Sequence, residues 1–157
     1  MGMAMKLADY LAAHPVPFDL VAHSHTMSSR QSARSMDLSL DCLVKAVVLE
    51  DENDQFLMAV LPASRKVNLG GLRKCIGRML RLADEAELRE RFSDCEVGAV
   101  PPIGNAYGVE TIWDDSLMNQ PEVYFEAGDH ETSVHLKTRD FVGLLEGARH
   151  MNFSAPM

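Results

Sequence analysis

The amino-acid sequence predicts a single α+β domain over residues 1–157, in which a mixed, largely antiparallel sheet is flanked by helices. Strand-length apolar runs and helix-length amphipathic segments follow one another without the regular alternation typical of doubly wound parallel sheets. Two of the apolar runs are joined by a short acidic turn, which predicts an antiparallel hairpin. The length of 157 residues suits one domain with a single core.

The first half of the chain is predicted to contain two helices and three strands. Apolar residues at helical spacing predict a helix over residues 3–13, which ends at His14 because the residue before a proline disfavours helical dihedral angles. Ser28 or Ser29 is expected to cap a second helix that reaches Met36. The strands are predicted at residues 18–22, 43–49 and 56–61, and the acidic turn 51–54 joins the last two.

The second half is predicted to add three helices and three strands. Asp84 is a good helix cap with Glu87 three residues later, so a helix is expected over residues 84–92. The glycines and prolines of residues 98–104 exclude regular structure there and predict a rigid loop. The other predicted segments are a polar connection at 64–69, a basic helix at 71–77, strands at 107–113, 123–126 and 133–137, a helix at 140–148 and a loose tail over about 150–157.

Composition and cysteine content favour a cytoplasmic protein. Hydrophobic residues make up 46% and charged residues 24% of the chain, as in ordinary soluble domains, and no apolar run approaches the roughly 20 residues that span a bilayer. The N-terminal region shows no targeting signal, so no membrane partner is expected. Cys42, Cys75 and Cys95 are widely spaced and odd in number, which indicates neither a disulfide framework nor a zinc knuckle.

The net charge of −8 argues against a protein that coats nucleic acid non-specifically, and no DNA partner is expected. The charge is unevenly distributed, because no Asp or Glu occurs between Gln55 and Ala83. This zone is either a solvated helix face or a surface that contacts RNA, and the residues alone support both interpretations equally. Its basic residues are Arg65, Lys66, Arg73, Lys74, Arg78 and Arg81.

Lys45 is the most unusual residue of the sequence, because every other residue of the predicted strand 43–49 is apolar. Burial of an ammonium group without a partner is unfavourable and lowers its pKa. One interpretation is that the strand end is open and the amine reaches water. The other is that Lys45 lies at the floor of a cleft, where it could hold a phosphate or polarise a carbonyl, and the residues alone do not separate the two.

Two polar segments could supply further catalytic or ligand-binding groups. In the loop 98–104, glycines permit close approach of the backbone to a ligand, and prolines fix the direction of neighbouring N–H groups. Asp129, His130 and Glu131 could provide acid–base chemistry or a metal ligand. A purely structural turn is the more common explanation of each segment.

A metal site is a weaker hypothesis. His23 and His25 are one residue apart at a strand end, but no third ligand lies near them in sequence. The sequence contains no nucleophilic serine elbow, Walker loop or dinucleotide fingerprint. No metal and no cofactor are therefore expected.

Taken in order, these motifs resemble the YbaK family, also called the aminoacyl-tRNA-synthetase-associated domain, which includes the editing domain of bacterial prolyl-tRNA synthetase and its free-standing relatives. The resemblance covers nearly the whole chain. It rests on an opening helix, a histidine-rich segment with Thr26, a helix containing Ala33, Lys45 in Val-Lys-Ala-Val-Val-Leu, the pattern Gly98-x-x-x-Pro102-x-Gly104, the pattern Phe125-x-Ala-Gly128, and a last helix with Phe141.

The resemblance implies an aminoacyl-tRNA deacylase that acts in trans on wrongly charged tRNA. Lys45 would contact the ester region or the terminal phosphate, and Gly98 would offer backbone N–H groups to the carbonyl. His130 falls where the synthetase-linked domains have a histidine near the pocket. No general base is evident, so a water oriented by the terminal hydroxyl of the tRNA is expected to attack the ester. Other implied contacts are Thr26, Ser28, Pro102 and Gly104 with the amino acid, and Arg65, Lys66, Arg73 and Lys74 with the tRNA.

The expected substrate is a small amino acid such as alanine, cysteine or serine, on tRNA-Pro, because a synthetase pocket cannot strongly reject a smaller analogue. A synthetase is a further expected partner, whereas the oligomeric state is not indicated. This chain departs from the common family pattern at two pocket segments, Thr26-Met27-Ser28 and Ala99-Val100-Pro101, and both departures bear on the choice of substrate.

Two other functions compete with deacylation. A non-catalytic module could use the same pocket to bind the aminoacyl end of tRNA or a small amino-acid-like ligand. A metal-dependent hydrolase could use His23, His25 and His130. Turnover of mischarged tRNA distinguishes the first alternative, and activity in excess chelator distinguishes the second.

Overall fold

A computed structural model describes residues 3–26, 28–96 and 98–157. Within these residues the chain forms five helices and ten strands. The helices are α1 (Met5–Ala13), α2 (Ser29–Ser35), α3 (Leu69–Ile76), α4 (Glu85–Arg91) and α5 (Thr138–Leu144). The strands are β1 (Asp19–Ala22), β2 (Leu43–Glu50), β3 (Phe56–Pro62), β4 (Arg65–Val67), β5 (Arg81–Leu82), β6 (Glu110–Asp114), β7 (Glu122–Glu126), β8 (Thr132–Lys137), β9 (Arg149–Met151) and β10 (Ser154–Pro156).

The main sheet is mixed, with the strand order β1-β8-β7-β2-β3-β6-β9, and β5 also pairs with β2. The pairs β1-β8, β7-β8, β2-β3 and β2-β5 are antiparallel, whereas β2-β7, β3-β6 and β6-β9 are parallel. A second, two-stranded sheet pairs β4 with β10. The predicted α+β class with a mixed, largely antiparallel sheet is confirmed.

The predicted hairpin forms the centre of the sheet, with β2 and β3 paired from Val44 and Pro62 to Glu50 and Phe56. Its acidic turn is closed by Asp51, whose Oδ1 accepts hydrogen bonds from the N–H groups of Asn53 at 2.8 Å and Gln55 at 2.9 Å. The middle of β3 is wholly buried, because helices and loops cover both faces of the sheet. Continuous apolar runs in both hairpin strands follow from this two-sided burial.

One edge of β2 changes partner along its length. On the side away from β3, β7 pairs only with Leu43 and Val44, and β5 pairs only with Leu49 and Glu50. In the described part of the chain, residues 45–48 therefore have no strand partner on that side. This gap in the sheet is the feature that positions the candidate site.

The C-terminal segment differs from the prediction of a loose tail over about 150–157. Strand β9 pairs with β6, and β10 pairs with β4, so the supposed polar connection 64–69 also contains a strand. Phe153 between them is 3% exposed, and its N–H donates to Asp114 Oδ1 at 2.8 Å. Sequence patterns could not show this, because short strands are stabilised here by partners distant in the chain.

Other predicted boundaries shift by a few residues. Tyr107 belongs to a 3-10 turn over Gly104–Tyr107, so the strand predicted from residue 107 begins at Glu110. The last helix begins at Thr138 and ends at Leu144. None of the helices that the described residues form is long and apolar enough to cross a membrane.

Candidate active site

A cavity of about 170 Å³ lies at the gap between β7 and β5. Side chains and backbone of α2, β2, α4, the loop after residue 97 and the end of β7 surround it. Because backbone groups alternate in direction along a strand, and the carbonyl of Leu43 points toward β3, the N–H and C=O of Ala46 point into the gap. The lining residues are Ser29, Val44, Lys45, Ala46, Val48, Leu88, Gly98, Val100 and Glu126.

Lys45 and Glu126 enter this site from neighbouring parallel strands. Val44 and Phe125 are paired in register and both belong to the main apolar core. Successive side chains of a strand point to opposite faces, so Lys45 and Glu126, one residue later, both point to the other face. The strands separate at this position, and no ion pair joins the two side chains within the described residues.

The ammonium group of Lys45 is half-buried and has no carboxylate partner among the described residues. Its Nζ lies 3.5 Å from the carbonyl oxygen of Ala63 and 3.8 Å from the sulfur of Met157. Burial lowers the pKa of this ammonium group from its usual value. A cation without a counter-charge beside a cavity can bind an anionic oxygen of a ligand.

Glu126 is the second charged residue of the cavity, and its side chain is 8% exposed. Its Oε2 lies 3.4 Å from Nε2 of His23, whose side chain is wholly buried. Its Oε1 is buried and has no hydrogen-bond partner in the described structure. Nδ1 of His23 lies 2.7 Å from the carbonyl oxygen of Ser24, which can only accept, so Nδ1 carries a proton. The contact between His23 and Glu126 is an ion pair only when Nε2 carries a proton as well.

The loop 98–104 has two ends with different roles. Gly98 has a φ of +82°, a backbone conformation that favours glycine, and it lines the cavity with Val100. At the other end Pro102 and Gly104 are buried and do not line the cavity. A Cβ atom on Gly104 would lie 2.0 Å from Oγ1 of Thr111, so glycine is required there by packing.

Thr26 and His130 are joined by a backbone hydrogen bond. The N–H of Thr26 donates to the carbonyl oxygen of His130 at 3.1 Å, and Oγ1 of Thr26 lies 2.6 Å from Oγ of Ser32. Ser28 caps α2 by accepting the N–H of Gln31 at 3.2 Å. None of these three predicted site residues lines the cavity, whereas Ser29 does. Met27 lies outside the described residues.

His130 occupies a tight turn. It is 1% exposed, has a φ of +58°, and its ring packs edge-on against that of His25 with centroids 5.9 Å apart. Asp129 shapes this turn, because its Oδ1 accepts the N–H groups of Glu131 and Thr132. Asp129 therefore has a structural role.

The histidines considered for a metal site are arranged as separate pairs. His25 lies 3.0 Å from Glu96, and His23 lies beside Glu126. Among the described residues no group of three or more His, Cys, Asp or Glu side chains could hold a metal ion.

The fold pairs two of the six residues of the basic zone with carboxylates. Arg78 pairs with Asp51 and Glu110, and Arg81 pairs with Glu50, all of which lie outside that segment of the sequence. Arg65 donates to Oγ and the carbonyl oxygen of Ser154, and Arg73 donates to the carbonyl oxygen of Leu80. Lys66 and Lys74 are exposed.

Comparison with known proteins decides the family. The sequence profile described as the aminoacyl-tRNA editing domain matches residues 23–144, which include Lys45, Gly98 and Glu126. The chain belongs to the aminoacyl-tRNA editing domain family. Within Escherichia coli K12, the multifunctional Ser/Thr-tRNA deacylase ProXp-y is 27% identical over 146 residues, which cover 90% of this chain and 87% of that protein.

Solved structures show the same fold as this editing domain. The hypothetical protein APE2540 matches with a TM-score of 0.85 and 22% identity, over 96% of this chain and 99% of its own. A candidate trans-editing enzyme for prolyl-tRNA synthetase matches with a TM-score of 0.83 and 21% identity, over 97% of this chain and 96% of its own. The predicted family and the predicted aminoacyl-tRNA deacylase activity are confirmed.

Sequence reasoning on the editing domain missed Glu126 and Ser29. Glu126 directly follows the apolar run Val-Tyr-Phe in β7, so a charged residue adjoins buried ones there, as it does at Lys45. That signal was present in the sequence. The contribution of Ser29 depends on how α2 packs against β2, which no local pattern indicates.

Proposed function

We propose that this editing domain hydrolyses the ester of tRNA charged with a small amino acid, and that the ester binds in the cavity beside Lys45. The observation that supports this most directly is a half-buried lysine at a gap in the sheet, with no carboxylate partner in the part of the chain that the structure describes, within a family of aminoacyl-tRNA editing domains. Lys45 would stabilise negative charge on the ester oxygen or on the terminal phosphate.

The backbone supplies the remaining polar groups of the proposed mechanism. The N–H groups of Gly98 and Ala46 would donate to the ester carbonyl, whose oxygen becomes negatively charged as water attacks. The attacking water would be oriented by the terminal hydroxyl of the tRNA. Thr26 and His130 would hold the adjacent turn in place, while Ser28, Pro102 and Gly104 would shape the cavity through α2 and the loop 98–104.

The similarity to a Ser/Thr-tRNA deacylase supports a small amino acid. Its side chain would contact the apolar wall of the cavity, which is formed by Val44, Val48, Leu88 and Val100. Serine, threonine, alanine and cysteine are the candidates, and the similarity to a Ser/Thr-tRNA deacylase supports the first two. The tRNA would be tRNA-Pro, and a synthetase would be a partner in the cytoplasm.

The tRNA would approach along β4. Lys66 lies on that strand, which begins two residues after Ala63, whose carbonyl is near Lys45. Lys66 and Lys74 would contact phosphates of the acceptor end, and Arg65 and Arg73 would hold the surface that presents them.

Deacylation assays on a panel of mischarged tRNAs test the proposal. Lys45→Ala is expected to abolish turnover and leave the fold intact, whereas Lys137→Ala, at an exposed position on β8, is expected to retain it. Unchanged deacylation by folded Lys45→Ala protein would refute the role of this site. Saturable binding of aminoacyl-tRNA without turnover by the wild-type protein would instead indicate a binding module.

A further inference from the structure

We propose that Glu126, which lines the cavity and has one carboxylate oxygen without a hydrogen-bond partner among the described residues, recognises the free α-ammonium group of the aminoacyl ester. This inference rests on the proposed function, since it concerns the same cavity. It adds a requirement that the proposed function does not contain: the amino group of the substrate must be unmodified. Glu126 is thus a substrate-binding residue that determines specificity.

The first support for this role is that Oε1 is buried and has no hydrogen-bond partner among the described residues. A buried polar atom without a hydrogen bond is unfavourable, and a charged one is more so. Glu126 is more than nine-tenths buried, lines the cavity, and uses only Oε2 toward His23. A carboxylate with a purely structural role would be expected to satisfy both oxygens within the fold.

The second support is charge. Among the described residues His23 is the only basic side chain that pairs with Glu126, at 3.4 Å from Oε2, and it carries charge only when both ring nitrogens are protonated. Lys45 lines the same cavity but forms no ion pair with Glu126 among the described residues. A buried carboxylate without a Lys or Arg partner among the described residues favours a ligand that brings a positive charge, and an ammonium group meets this need better than a hydroxyl group.

The third support is the arrangement of charges across the cavity. The substrate carries a positively charged amino group and an ester carbonyl that becomes negative during attack. Lys45 and Glu126 point to the same face from two strands that separate between them. The cation can therefore face the oxygen end of the substrate while the carboxylate faces its nitrogen end, which fixes the orientation of the ester.

Binding of a stable analogue tests this inference independently of catalysis. The probe is adenosine with an alanyl group in amide linkage at the 3′ position, with either a free or an acetylated α-amino group. Wild-type protein is expected to bind the free amine about 10- to 100-fold more tightly. Glu126→Gln, which keeps the shape and removes the charge, is expected to lose most of this preference. Glu122→Gln, on the exposed start of the same strand, is expected to keep it.

Each other outcome counts against the inference. Equal binding of both analogues by wild-type protein overturns it without requiring any variant to fold. An equal loss for both analogues in Glu126→Gln indicates a structural role. A change confined to a seryl analogue relative to an alanyl analogue indicates that Glu126 accepts a hydrogen bond from the side-chain hydroxyl instead.

Deacylation of alanyl-tRNA, measured in parallel, separates this inference from the proposed function. Hydrolysis by wild-type protein together with equal analogue binding leaves the proposed function standing and removes the role of Glu126. Absence of hydrolysis together with preferential binding of the free amine removes the proposed function and supports the recognition of the ammonium group.

Discussion

Lys45 and Glu126 each follow one member of an in-register pair, Val44 and Phe125, on two parallel strands that separate immediately afterwards. The separation places a cation and an anion at one cavity without allowing them to neutralise each other within the described residues. Neither charge is neutralised by the other, so each can interact with a ligand.

Replacement of Lys45 by methionine is expected to raise stability at neutral pH. Burial lowers the pKa of the ammonium group in the folded state, so the unfolded chain binds this proton more tightly. The resulting loss of folding stability is complete at pH values below the pKa of Lys45 in the folded state. It disappears as the pH rises to the pKa of Lys45 in the unfolded chain. In thermal unfolding, the Tm of Lys45→Met should exceed that of wild type by less than about 4 °C at pH 7. The difference in Tm should be smaller near pH 10. A difference that grows with pH would contradict this assignment.

Alanine at Gly98 is expected to impair catalysis more than stability. Gly98 and Gly77 have similar positive φ angles, +82° and +75°, so alanine at either position costs about 1–2 kcal/mol. Only Gly98 lines the cavity. We expect similar losses of stability in Gly98→Ala and Gly77→Ala, but a fall in kcat/KM of tenfold or more in Gly98→Ala alone. Equal kcat/KM values in the two variants would exclude a role of Gly98 at the site.

Gly104 is expected to tolerate no side chain. A Cβ atom there would lie 2.0 Å from Oγ1 of Thr111 and 2.6 Å from the carbonyl oxygen of Val109, so Gly104→Ala should lower the free energy of unfolding by about 1–3 kcal/mol. Gly143 in α5 has no neighbouring atom within 4 Å of such a Cβ. Gly143→Ala should therefore raise stability by about 0.5–1 kcal/mol, and chemical denaturation measures both changes.

The C-terminal segment is expected to be essential for stability. Phe153 is 3% exposed and packs in the apolar cluster around Leu72 and Ile112, so Phe153→Ala should cost about 3–5 kcal/mol. Phe18→Ala is a matched control, since Phe18 is 37% exposed and should lose less than about 1 kcal/mol. Similar urea midpoints for the two variants would show that residues after 151 contribute little.

Lys66 and Lys74 are expected to contribute to tRNA affinity by neutralising phosphates. Replacement of either by glutamine should raise KM for tRNA a few-fold. It should also make the slope of log K against log salt concentration shallower by about 0.7–0.9 for each phosphate that is no longer neutralised. Arg81→Gln is the comparison, because Arg81 already pairs with Glu50 at 2.5 Å. Titrations between about 50 and 200 mM salt distinguish these variants, and an equal slope for all three would refute the proposed tRNA surface.

The sequence determined the elements that depend on local patterns. The hairpin followed from two apolar runs and an acidic turn, α2 followed from its Ser28 cap, and Lys45 stood out against an apolar strand. Each of these features is fixed by residues close together in the chain, where periodicity and capping act.

Only the tertiary structure decided which strands end beside one another and which charges remain unpaired. The gap along β2, the unsatisfied oxygen of Glu126, and the neutralisation of Arg78 by Asp51 and Glu110 all depend on residues far apart in sequence. The same holds for the ordering of the tail through Phe153. Pairing between distant segments leaves no period in the sequence, so Lys45 could be recognised as unusual before it could be placed beside Glu126.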